Sequence, residues 1–150
     1  MGLDNIPKEY PCKKAGSAVL MDDKIDCNAT QACGGCPWKN ANPPDGAVYG
    51  MFGTDCWYRG KWGNYLLERA TVGDPMGDNL DFYGDNDDGS EKSPESCLAT
   101  ASVCRQAWES YTPEEIAADT EVAEIVYGLK YAEWYLRWAA ETTNGLVCWF

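Results

Sequence analysis

The sequence predicts an α+β domain: a small, cysteine-stapled region of strands and loops, followed by two or three helices. Three observations carry that prediction. Cys12, Cys27, Cys33, Cys36 and Cys56 fall in the first third of the chain, among many Gly, Pro and Asn residues. An acidic run (Asp74, Asp78, Asp81, Asp85, Asp87, Asp88 and Glu91) then follows, with no basic residue between 74 and 91. Beyond it, capped helical patterns take over. The 150 residues, 45% hydrophobic, suit a single domain divided as 1–73, 74–92 and 93–150.

Taken in order, residues 1–16 read as irregular, with Pro7, Pro11 and Gly16 as breakers. Residues 18–21, a turn at Asp22, Asp23 and Lys24, and residues 25–27 read as a hairpin. The stretch 28–46 is rich in Gly, Pro and Asn and needs something other than regular structure to order it; 47–52 reads as a further strand. Asn64 is placed as the N-cap of a short helix over 65–70. Ser93 caps the next helix, with Pro94 in its first turn, and Cys97, Ala101, Cys104 and Trp108 recur on one face. Thr112, Pro113 and Glu115 form a capping box. The helix that follows, with a break expected near Asp119, buries Val122, Ile125, Val126, Leu129, Ala132, Leu136 and Ala139 and ends at Asn144-Gly145. Residues 146–150 are apolar enough to dock on the core.

Net charge is −12, with 12 basic residues in all. Neutralising phosphates needs Lys and Arg, so direct nucleic-acid binding is not expected. No apolar run approaches the roughly 18–20 residues that cross a bilayer, so no membrane role is expected. Residues 1–7 have neither a charged n-region nor an apolar h-region, which predicts a cytosolic protein.

In a reducing cytosol, clustered thiols favour metal over disulfides. Cys33 and Cys36 are spaced to place both sulfurs on one zinc, and Cys12, Cys27 and Cys56 are the candidates for the remaining half of a tetrahedral structural site. Disulfides and unligated thiols stay open as alternatives. Cys97 and Cys104 lie seven apart on one helix face, too far to bridge each other, though either has Cys148 as a potential partner.

The segment 50–65 is the most unusual one. Arg59, Lys61 and Arg69 make the stretch 50–70 locally positive in a strongly acidic chain. Aromatic faces stack bases, and Arg pairs bidentately with phosphate. Trp57, Tyr58, Arg59, Lys61, Trp62 and Asn64 are therefore the expected contacts of a small anionic ligand such as a nucleotide. The bland alternative is that these rings wedge loops onto the core.

Enzymatic chemistry is not expected. The chain has no histidine, hence no Ser-His-Asp or Cys-His arrangement, and no phosphate-binding glycine motif. Asp85 to Gly89 resembles a calcium loop but lacks one residue of the required spacing.

The opening residues 1–12, with Cys36-Pro37-Trp38 and the run from Cys56 to Asn64, resemble small Cys-rich proteins encoded by tailed phages. The likeness covers the first 65 residues and brings no activity with it. It implies a non-enzymatic viral accessory protein acting by binding in the host cytoplasm, as an antagonist of host defence signals. The alternatives are a virion or decoration protein, or an acidic inhibitor that binds a host protein by mimicking nucleic acid.

Overall fold

The computed structural model describes residues 2–14, 16, 18–22, 24, 25, 57–70 and 81–150. The architecture is α+β, as expected. A four-stranded antiparallel sheet of order β4-β1-β6-β5 comprises β1 (Asp4–Pro7), β4 (Tyr58–Arg59), β5 (Glu91–Lys92) and β6 (Leu146–Trp149). A separate hairpin pairs β2 (Leu20–Met21) with β3 (Lys24–Ile25) where the sequence reading placed one, with Lys24 in the strand and not in the turn. The helices are α1 (Pro11–Lys14), α2 (Gly60–Ala70), α3 (Pro94–Glu109), α4 (Pro113–Ala118) and α5 (Thr120–Thr142). Among the described residues, no helix is long and apolar enough to cross a membrane.

The sheet sets the parts of the chain on either side of the acidic stretch side by side, β4 and β1 from before it and β6 from after it, with β5 from its end on the outer edge. β1 pairs with β6 from Asp4↔Trp149 to Pro7↔Leu146, so the two ends of the sequence form the centre of the sheet. Residues 146–149 thus form a core strand, where only docking was expected. Strand alternation assigns the faces: Asn5, Tyr58, Lys92, Leu146 and Cys148 point inward, while Arg59, Glu91, Val147 and Trp149 point outward.

The helical half follows its sequence signals closely. Ser93 Oγ accepts from the Ser96 amide at the start of α3. Thr112 and Glu115 make the reciprocal capping box of α4, at 3.1 Å each way. Asp119 ends α4 and caps α5 by accepting from the Glu121 amide. α5 closes at Asn144 and Gly145, both at positive φ, where the Gly145 amide returns to the Ala139 carbonyl. α3 packs on α5 through Cys97, Ala101 and Cys104 on one side and Leu129, Ala132, Leu136 and Ala139 on the other. Tyr135 and Trp138 join this core, whereas Val122 and Trp108 are half-buried.

α2 begins at Gly60, four residues before the expected cap. A Cβ at Gly60 would lie 2.7 Å from Asn5 Oδ1, and one at Gly63 would lie 2.4 Å from the Phe82 ring. The two glycines are small so that α2 can press on β1 and Phe82, and they do not break the helix. The expected strand over 47–52 lies outside the described residues.

Candidate functional site

The structure divides the six expected ligand contacts among three places. Tyr58 is in the core, 2% exposed, with its ring stacked on Phe82 at 5.2 Å, Tyr135 at 5.2 Å and Tyr131 at 5.8 Å. Burial holds its phenol well above its usual pKa. Asn64 is also internal. Its Oδ1 accepts from the Phe82 amide at 2.9 Å, while Asn5 Nδ2 donates to the Phe82 carbonyl at 3.0 Å. The two asparagine side chains therefore hold the backbone of Phe82 on both sides of its Cα and fix its ring beneath Tyr58. Tyr58 and Asn64 are corrected from ligand contacts to core residues. Strand alternation sends Tyr58 inward when Trp57 and Arg59 face out, and a helix that starts at Gly60 turns Asn64 toward Phe82.

Trp57 and Arg59 occupy the outer sheet face. Trp57 meets Trp149 edge-on at 6.4 Å, and Arg59 Nε lies 3.8 Å from Asp4 Oδ1. Arg59 is thus already charge-compensated by its cross-strand neighbour.

Lys61 and Trp62 lie on the solvent face of α2 and bring in two residues that were not singled out as contacts. Trp62 and Tyr65, each 46% exposed, stack at 5.3 Å with planes 23° apart. Lys61, Tyr65 and Arg69 follow one another at i, i+4 and i+8, so one helical row runs cation, aromatic, cation. Arg69 sits 6.0 Å from the Tyr65 ring and forms an ion pair with Glu121, which ties this end of α2 to α5. The i, i+4 spacing was present in the sequence. Starting the helix at Tyr65 hid it.

A second polar centre lies under the acidic stretch. Lys92 is 1% exposed, and its Nζ donates to the Asp81 carbonyl at 2.8 Å, the Tyr83 carbonyl at 3.3 Å and Ser96 Oγ at 2.8 Å. Burial lowers its pKa, against nearby Cys97, Cys148, Asp81 and Asp85. Asp85 accepts from the Ser93 amide and hydroxyl, both at 2.7 Å. Burial would raise Asp85, but those hydrogen bonds prevail and hold it below the usual carboxylate range. Asp88 Oδ1 accepts from the Ser90 hydroxyl and amide. The loop thus turns Asp85 and Asp88 onto its own donors, away from a calcium-type cage.

Of the expected zinc ligands, Cys12 lies on α1 and is buried. Cys27, Cys33, Cys36 and Cys56 lie outside the described residues. Among the described residues there is no group of three or more metal-ligating side chains. Cys97, Cys104 and Cys148 are unbridged thiols, so the pairing considered for Cys148 is not formed. Burial raises Cys97 and Cys104 to about 12 and Cys148 to about 11, which makes all three poor nucleophiles at neutral pH.

No protein-family model, curated protein or solved structure matches the chain.

Proposed function

We propose that the protein is a phage-type accessory protein that acts by binding in the host cytoplasm, and that its recognition surface is the solvent face of α2. One observation carries this reading: the half-exposed Trp62–Tyr65 stack set between Lys61 and Arg69 on one helical row. A monomer gains nothing by leaving two large rings in water, whereas a flat ligand can cover them and gain stacking of about 1–3 kcal/mol. Lys61 beside the rings selects an anion, while Arg69, held by Glu121, backs Tyr65. Together they fit a nucleotide, with its base on the rings and its phosphate at Lys61. The earlier set of contacts thereby contracts to Lys61 and Trp62 and extends to Tyr65 and Arg69.

Tryptophan fluorescence tests this reading with a panel of mono-, di- and cyclic nucleotides. A saturable change is expected with at least one of them. In Trp62→Ala its affinity should fall at least about tenfold, the loss of one stacked ring, while Arg59→Ala should leave it unchanged. Silence across the whole panel, or equal binding by Trp62→Ala, would overturn the reading. The net charge of −12 favours a second reading, an acidic surface that binds a basic host protein. Salt-sensitive capture of such a protein, unaffected by Trp62→Ala, would support that one instead.

A further inference from the structure

Trp149 is the most exposed large apolar side chain among the described residues, at 63%. It stands on the outer face of the sheet, and register sets its surroundings there. Trp149 on β6 is opposite Asp4 on β1, which is opposite Arg59 on β4. Two residues along, Ile6 on β1 is opposite Val147 on β6, which is opposite Glu91 on β5. Cross-strand partners share a face, so Ile6, Val147 and Trp149 make one apolar strip. The Trp57 ring, 6.4 Å from that of Trp149, extends it. Ile6, Val147 and Trp57 are each partly exposed. The strand residues that enter the helical core, Tyr58, Leu146 and Cys148, all lie on the opposite face.

Each side of the strip carries one ion pair. Arg59 Nε lies 3.8 Å from Asp4 Oδ1 on the β4 side, and Lys8 Nζ lies 3.3 Å from Glu91 Oε2 on the β5 side. These four charges cancel, on a chain whose net charge is −12. Anionic lipid or nucleic acid is repelled by that charge, and a basic partner finds a stronger attraction on the acidic surfaces. A second copy suits this face better than any of them. Both signs stand at each side, so a twofold-related copy sets cations against carboxylates and carboxylates against cations. The rim cations Arg59 and Lys8 are 43% and 40% exposed, and pairs so wet are weak enough to re-form across an interface. An apolar, aromatic centre inside a charged rim is the usual anatomy of such a contact.

We infer that the outer sheet face, with Ile6, Val147 and Trp149 set between the Asp4–Arg59 and Lys8–Glu91 pairs, is the surface through which two copies of this chain form a twofold dimer. It uses no residue of the α2 platform, so each dimer carries two platforms.

Sedimentation equilibrium of the full chain reads the assembly directly. The mass should rise from 16.6 kDa toward twice that value as concentration goes from micromolar to about half-millimolar, a range that covers weak interfaces. A twofold interface counts every substitution twice, so Trp149→Ser should weaken the dimer at least about tenfold. Lys8→Glu, which places like charges on the β5 side without touching a ring, should weaken it as well, while Trp62→Ala on α2 should leave it unchanged. Unaltered far-UV circular dichroism reports that each variant is folded. A mass that stays at 16.6 kDa throughout would overturn the inference and leave the face to a different partner. So would a dimer that survives Trp149→Ser and Lys8→Glu at full strength, since the copies would then meet elsewhere.

Discussion

Tyr58→Ala is expected to lower the unfolding free energy by about 3–5 kcal/mol, the range for deleting a fully buried aromatic ring. That is a large share of a typical domain's total stability. The ring touches Phe82, Tyr131 and Tyr135, so its loss opens a void among three partners drawn from the 81–90 loop and α5. Tyr58→Phe should behave oppositely. The buried Tyr58 hydroxyl makes no hydrogen bond to the described residues, and removing it should leave stability unchanged or raise it by about 1 kcal/mol. Urea unfolding of both variants measures this. If Tyr58→Ala unfolds like wild type, the ring is not in the core.

Lys92→Met is expected to cost about 3 kcal/mol at neutral pH. Asp81 keeps a second donor in Thr100 Oγ1 at 2.9 Å, but the Tyr83 carbonyl and Ser96 Oγ lose the bonds that Nζ supplies. A buried acceptor left unpaired costs about 1–3 kcal/mol, and methionine fills the volume without replacing the donor. The same substitution alters the alkaline limb. Cys97, Cys104 and Cys148 titrate from 9.0 when unfolded but at about 12, 12 and 11 when folded. Above pH 9 the unfolded chain therefore holds fewer protons, and stability falls by up to about 1.4 kcal/mol per pH unit for each thiol. Lys92 acts with the opposite sign. Its folded pKa is below 10.5, so between the two values the unfolded chain holds more protons and stability rises with pH. Lys92→Met removes that opposing slope and should lose stability more steeply as alkali is added. Urea midpoints collected from pH 7 to 10.5 report both effects, and parallel profiles for the two proteins would contradict the assigned role of Lys92.

The helices were legible because their signals are local. Ser93-Pro94, Thr112 with Glu115, and Asp119 each act within one turn, and the α3–α5 seam follows helical spacing. The sheet was not legible. β1 and β6 are four-residue strands whose side chains meet across 143 positions, as Asn5 Nδ2 does with Cys148 Sγ, and no local pattern encodes such a pairing. The site was partly legible. Composition singled the 57–65 segment out, but the orientation of each residue in it depends on where β4 ends and α2 begins. Gly60 and Gly63 look like breakers until Leu3, Asn5 and Phe82 are seen pressed against them. That single boundary moved Asn64 into the core and brought Tyr65 and Arg69 onto the outer row.

The division of the 57–65 segment into a buried ring and an outward platform is the claim on which the functional reading stands. Photochemically induced nuclear polarisation with a flavin dye tests it directly, because only rings that the dye can touch are enhanced. Trp62 and Tyr65 should give strong signals while Tyr58 and Tyr135 give none, and a nucleotide that binds α2 should extinguish the first pair. A polarised Tyr58, or a dark Trp62 in the ligand-free protein, would contradict the account.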